Sequence, residues 1–287
     1  MILRVFPHRT CATPADPQAF VGDPPLFLPP AADVDAVHVS VTFTWDLAEG
    51  QRLQRAWAQY YGHVQLGGPA VRAPVGDFEP GLYLAPGHVI TSYGCPNACR
   101  HCLVAEREGP LRLVPVREGW NVCDNNLLAC PREHVEAVLD MLDRQPRPAR
   151  FTGGLEAACV RPWLVERLAR LRIDTIYTAY DRPEQWPAVA SAVGRIQDAF
   201  GWSAGTSRRR LACYVLVGQD GDTPAAAAER LHRVGALDVA PFPMFYRPPL
   251  RTRRPMPPEW HDLVGRALRQ PWASRMWSRR MAIERSN

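Results

Sequence analysis

Apolar and polar positions along the chain follow two periods. Residues 37–43, Val37-His-Val-Ser-Val-Thr-Phe43, alternate with period two and predict a strand. Residues 46–61 set Leu47, Leu53, Trp57 and Tyr60 about one helical face apart, and predict a helix. Residues 64–69, Val-Gln-Leu-Gly-Gly-Pro, read as a short strand ending in a glycine turn. Together they make one β-α-β unit, with residues 1–6 as a further strand. Such a unit is too small for a complete doubly wound domain.

From residue 88 onward the two periods alternate. Strands are expected at residues 89–92, 120–123, 150–152, 174–180, 210–217 and 239–246. Between them lie a helix opening at Pro131 and striped by Val135, Val138, Leu139 and Leu142, and one carrying Leu164, Val165, Leu168 and Leu171. Further helices are expected at residues 183–200 and 224–234. Six β/α repeats predict a parallel sheet with its helices outside, and a chemistry site at the carboxyl ends of the strands. The expected fold class is therefore α/β: a partial six-fold TIM-like barrel over residues 88–246, preceded by a small α/β region over residues 1–87. Residues 247–287 would add one or two helices that close the barrel.

Composition narrows the setting. A chain of 287 residues with 46% apolar content is long enough for one large domain with an appendage. No run of 18 apolar residues exists, so no membrane span is expected. Residues 1–7, MILRVFP, lack the basic and long apolar segments of a secretory signal, and a cytoplasmic protein is the expectation. Every basic residue other than histidine is arginine, a compositional bias that lowers the weight of any arginine count. The formal net charge of +5 is uneven: residues 247–287 hold ten arginines against Glu259, Asp262 and Glu284, together with Trp260, Trp272 and Trp277. Such a tail can contact nucleic acid or another anionic partner, but a solvated, partly packed C-terminal helix is the leading expectation.

Eight cysteines are present: Cys11, Cys95, Cys99, Cys102, Cys123, Cys130, Cys159 and Cys213. In a chain without a secretory signal, tight clustering argues for metal rather than disulfides. Cys95, Cys99 and Cys102 cluster in Thr91-Ser-Tyr-Gly-Cys-Pro-Asn-Ala-Cys-Arg-His-Cys102; ordinary core packing is the expectation for the other five. Thiolates are soft ligands suited to iron–sulfur clusters, and a C-x3-C-x2-C loop can hold three corners of a cubane. The fourth iron then has no protein ligand and stays open to a substrate-like molecule. A structural zinc site would want a fourth ligand, and His101 is too close to Cys102 in sequence to share the same metal.

This motif, in a loop after the first of six β/α repeats and with an aromatic ring just before its last cysteine, resembles the signature of the radical S-adenosylmethionine superfamily. The resemblance spans residues 88–246. It implies a 4Fe–4S cluster on Cys95, Cys99 and Cys102, S-adenosylmethionine bound by its methionyl amine and carboxylate at the open iron, and a 5′-deoxyadenosyl radical as the first product. It also implies a flavodoxin- or ferredoxin-like electron donor. The family's second strand ends in a patch that receives the methionyl amine. By order that position is Asp124-Asn125-Asn126, which is similar to a variant of the cobalamin-linked and methylthiotransferase-like branches. An acid or amide there can accept from an ammonium, and an Asx turn capping the next helix would need the same residues. Gly153-Gly154-Leu155-Glu156, one strand later, resembles a glycine patch too; a tight strand-to-helix turn explains it equally. Gly218 would lie near adenine.

The first region resembles a cobalamin-binding domain in Val64-Gln-Leu-Gly-Gly-Pro-Ala70 and in its join to Gly87. The likeness covers residues 37–70, implies a degenerate flavodoxin-like sheet, and lacks the Asp-x-His-x-x-Gly motif. A truncated remnant without cobalamin, or a cap over the barrel mouth, is expected. The leading expectation is a radical S-adenosylmethionine enzyme of open substrate. A cobalamin-dependent methyltransferase and a nucleic-acid-binding protein with a structural metal are the alternatives. Methylthiolation would need a second cysteine triad, and only Cys11 precedes Cys95.

Overall fold

The computed structural model describes residues 1–71, 79–97, 99–246 and 257–269. The chain opens with β1 (Ile2–Phe6), β2 (Ala19–Val21), β3 (Ala36–Ser40), α1 (Leu47–Trp57) and β4 (Val64–Gly67). The four strands form one all-parallel sheet in the order β2-β1-β3-β4. Leu3 and Val5, Val37 and Val39, and Leu53 and Trp57 of α1 share its core, so the expected helix supplies the cover for the expected strands. Arg4 is buried on β1. Its guanidinium pairs with Asp16 and donates to the Leu82 carbonyl at 2.8 Å, which fastens the connecting segment to this sheet. The one strand of this sheet without a counterpart in the sequence pattern, β2, is three residues long and carries no period that a sequence could display.

The second sheet begins at β5 (His88–Val89). The small pair β6 (Ser92–Tyr93) and β7 (Arg112–Leu113) flanks α2 (Val104–Glu108). Then follow β8 (Asn121–Val122), α3 (Arg132–Asp143), β9 (Ala149–Phe151), α4 (Pro162–Leu168) and β10 (Ile173–Ala179). The last elements are α5 (Trp186–Phe200), α6 (Ala204–Arg210), β11 (Leu211–Val217), α7 (Pro224–Ala236), β12 (Ala240–Phe245) and α8 (Pro258–Arg269). Strands β5, β8, β9, β10, β11 and β12 lie side by side in chain order, every pair parallel.

Strictly sequential strands with right-handed crossovers put all the helices on one face. The core bears this out: Val122, Phe151, Ile176 and Val215 pack with the apolar stripes of α3, α4, α5 and α7. The opposite face is aromatic toward β12. There Tyr177 and Tyr214 stack at 4.7 Å, and Phe242 meets Tyr214 edge-on at 5.1 Å. The molecule is thus a mixed α/β protein with parallel sheets. Among the described residues β5 and β12 do not pair, so the six strands form an open sheet and no closed barrel.

Local differences from the sequence pattern have physical causes. The strand expected at residues 89–92 splits, because Ser92 and Tyr93 leave the sheet to pair antiparallel with Leu113 and Arg112. Helix α6 lacks an apolar stripe; the Ser203 hydroxyl accepting from Thr206 N caps it instead. In the basic C-terminal region α8 buries Trp260, Leu263 and Val264 on the core. Trp272, Trp277 and most of the arginines expected to face an anionic partner lie outside the described residues. No described helix is long and apolar enough to cross a membrane.

Candidate functional site

The cysteine loop leaves the carboxyl end of β5 and lies over the carboxyl ends of its neighbours. Gly94 (φ +77°) lets the chain turn where a Cβ would meet the Pro110 carbonyl oxygen at 2.4 Å. Cys102 N donates to Cys99 O at 3.0 Å, which closes a tight turn between those cysteines. The Cys95 sulfur accepts from Asn97 N at 3.4 Å and from Asn126 Nδ2 at 3.5 Å. Cys95 and Cys99 are half-buried and Cys102 is exposed. Burial pushes the Cys99 thiol up, the neighbouring Cys102 adds to this, and Arg182 opposes it.

The two patches expected at strand ends meet at this loop. Asn126, beyond β8, donates through Nδ2 to Glu156 Oε2 at 2.5 Å, and Asn97 donates to the same oxygen at 2.7 Å. Asn126 Oδ1 is buried without a hydrogen-bond partner. Asn125 donates at 2.6 Å to Glu108 Oε2, which also holds Gly94 N at 2.8 Å. Gly153 allows β8 and β9 to converge: a Cβ there would sit 2.1 Å from the Asp124 carbonyl oxygen. Gly154 follows with φ +91°. Gly218 turns the chain after β11, and its N–H donates to Asp222 at 3.0 Å.

Asp124 is built in as an anchor. Its buried carboxylate accepts from Thr91 N at 2.8 Å, Thr91 Oγ1 at 2.7 Å and Ser92 Oγ at 2.6 Å. It caps neither the short turn that follows nor α3. Desolvation raises its pKa, and these three donors counteract the rise. Asp124→Asn keeps an acceptor for Thr91 N and lets both hydroxyls rotate. It should cost about 1 kcal/mol, seen as a fall in Tm of about 2–4 °C; an unchanged Tm would contradict the anchoring role.

Several neighbours escaped the sequence pattern. His101 faces Asp181, with Nε2 3.6 Å from Oδ2. Asp181 stands just beyond β10, and its other oxygen accepts from Leu216 N at 2.8 Å. Glu108 and Asn97 are missed as well: Glu108 carries no motif, and Asn97 lies within the cysteine loop as a spacer residue with no expected role. A strand-end acid after β10 was the one available signal for Asp181. Among the scattered cysteines, Cys130 and Cys213 are buried as core packing requires, but Cys123 and Cys159 are half-buried and Cys11 is exposed. Cys159 lies near enough to Cys95 and Glu156 for both to raise its pKa, behind the larger effect of burial.

No protein-family model matches the chain, and no curated protein matches it. The residues themselves must therefore be tested against the implied cluster. Among the described residues no group of three or more His, Cys, Asp or Glu side chains stands assembled as a metal cage. The donor chemistry nevertheless fits: three thiols share one loop, Cys99 feels the charges of the other two, and two N–H groups already point at the Cys95 sulfur. Holding a cluster would require the loop to draw its three sulfurs together.

Thiol reactivity follows from the same geometry. Burial pushes the Cys123 thiol up to about 11 and raises that of Cys213 well above its ordinary value. Near pH 8 only about 0.1% of Cys123 is thiolate. Iodoacetamide should therefore modify exposed Cys11 and Cys102 in the native apo-protein, and reach Cys123 and Cys213 only in denaturant. Peptide mass spectrometry reads this directly, and native labelling of Cys213 would contradict the burial.

Proposed function

We propose that this chain is a radical S-adenosylmethionine enzyme, with a 4Fe–4S cluster held by Cys95, Cys99 and Cys102 and a partial six-fold barrel around it. The observation that carries the reading is the convergence on the cysteine loop of groups from successive strand ends. Asn126 and Glu156 stand beside Cys95, and Asp181 stands beside His101. When bound, the cluster supplies one electron to S-adenosylmethionine, which separates into methionine and a 5′-deoxyadenosyl radical.

The chain's own residues bind and orient. The methionyl ammonium needs acceptors, and the unpartnered Asn126 Oδ1 and the Glu156 carboxylate offer them side by side. Asp124 holds the loop's base through Thr91 and Ser92, so that the cysteines keep their position relative to those acceptors. Glu108 ties Gly94 to Asn125 and closes the other side. The exposed Cys102 edge suits the approach of a flavodoxin- or ferredoxin-like electron donor.

Metal content tests the reading. Protein reconstituted anaerobically with iron and sulfide should hold about four irons and four sulfides per chain, the stoichiometry of one cubane. Zinc at one per chain, with no sulfide, would overturn the reading in favour of a structural metal site.

A further inference from the structure

Resting on the iron–sulfur reading, we propose that Cys159 is a fourth thiolate for the cluster site: without S-adenosylmethionine it closes the iron that Cys95, Cys99 and Cys102 leave open, and S-adenosylmethionine must displace it. Cys159 ends the single helical turn Ala157–Cys159, which follows β9 and the Gly153-Gly154 pair. Its N–H donates to Glu156 O at 2.9 Å, so Cys159 and Glu156 are the two ends of one tight turn. The Glu156 carboxylate accepts from Asn97 of the cysteine loop at 2.7 Å and from Asn126 Nδ2 at 2.5 Å. Asn126 Nδ2 in turn reaches the Cys95 sulfur at 3.5 Å. Cys159 therefore stands across Glu156 from the loop. The charge of Cys95 acts on it, and Glu156 acts on Cys99 and Cys159 alike.

The flanks of the turn hold it in place. Leu155 and Val160 are both buried in the main core. Leu155 N donates to Tyr177 O of β10 at 2.7 Å, and the Val160 carbonyl accepts from Arg195 Nη1 of α5 at 2.9 Å. Between these anchors Glu156 and Cys159 stay at the strand-end surface. Cys159 is half-buried and belongs to no hydrophobic cluster, whereas Cys130 and Cys213 pack in the core. A second observation marks the same place as made for a ligand. Asn126 is 5% exposed, and its Oδ1 has no hydrogen-bond partner. A buried acceptor left open is costly unless an occupant donates to it. Thiolate is a soft ligand suited to iron. The methionyl ammonium received by Asn126 and Glu156 arrives beside Cys159, so the two compete for one iron. The ammonium must lose a proton before its nitrogen can bind iron, and the departing Cys159 thiolate takes that proton up. The exchange thus moves one proton and no electron.

The full chain is reconstituted anaerobically as parent and as Cys159→Ala, and metal and sulfide are counted first. A parent with zinc and no sulfide fails the iron–sulfur reading, and this proposal with it. With about four irons per chain in both proteins, ferricyanide oxidation without S-adenosylmethionine is followed by electron paramagnetic resonance. An iron without a protein thiolate is the first to leave, so Cys159→Ala should give about tenfold more three-iron cluster than the parent. Equal yields overturn this proposal alone and leave the iron–sulfur reading standing. A second measurement needs no variant. In the parent, iodoacetamide should label Cys159 about tenfold less after reconstitution than before it, and S-adenosylmethionine should restore the labelling, read by peptide mass spectrometry. Mere covering of Cys159 by the cluster predicts the opposite, because S-adenosylmethionine would cover the thiol further. Labelling of Cys159 that S-adenosylmethionine fails to raise overturns the proposal.

Discussion

The chain with Cys95→Ala, Cys99→Ala and Cys102→Ala is expected to retain essentially no iron after reconstitution while remaining folded. All three side chains sit on one loop, Cys102 exposed and the others half-buried, and none belongs to either hydrophobic core. Substitutions at such positions usually cost within about 0.5 kcal/mol each, so the apo-variant should melt within about 6 °C of the apo-parent. The loop's position rests on other contacts, from Asp124 to Thr91 and Ser92 and from Glu108 to Gly94. Loss of iron with an unchanged melting curve would assign the cysteines to ligation. Full iron retention would remove them from it. Collapse of the fold would show that the loop depends on the thiols themselves.

Gly153→Ala should be the most damaging single substitution near the site. The new Cβ would lie 2.1 Å from the Asp124 carbonyl oxygen and 2.7 Å from the Cys123 carbonyl carbon, and both obstacles are backbone. A flexible side chain could swing aside; a strand end held by hydrogen bonds cannot. Gly153 N donates to Val122 O at 3.0 Å, so relief would mean parting β8 from β9. Overpacking of this kind costs about 3 kcal/mol or more, a fall in Tm of roughly 6–12 °C for a chain of this size. The same parting would carry Asn126 away from Glu156, so iron binding should suffer as well. A Tm within about 2 °C of the parent would show that the two strand ends yield more readily than their bonding suggests.

Gly153 also illustrates what a sequence can and cannot say. Glycines after a predicted strand imply either close approach to a ligand or a tight turn. The structure shows a third use, close approach to the neighbouring strand end at Asp124. Periodicity is enough for the long strands of the second sheet, because burial on the helix side imposes a pattern on them, as in Leu211, Cys213, Val215 and Val217 of β11. It was not enough for β2 or β7, which are too short to show a period, nor for α6, which is held by a cap. Spacing alone found Cys95, Cys99 and Cys102, since a chelating loop must be local. Asp124 is legible as a strand-end acid, but the groups its carboxylate holds are not. Its partners Thr91 and Ser92 lie more than thirty positions away, and only the parallel pairing of β5 with β8 brings them together. The His101–Asp181 contact was unreadable for the same reason. Nonlocal polar contacts leave no periodic trace, and here they build most of the candidate site.

The most direct test of the central claim is the formation of 5′-deoxyadenosine. Reconstituted protein, reduced anaerobically with dithionite and mixed with S-adenosylmethionine, is quenched and resolved by liquid chromatography with mass detection. The account predicts 5′-deoxyadenosine and methionine in equal amounts from the parent chain, and none above background from the triple cysteine variant. Intact S-adenosylmethionine after incubation with a protein carrying its full four irons, or equal cleavage by the variant, would contradict it.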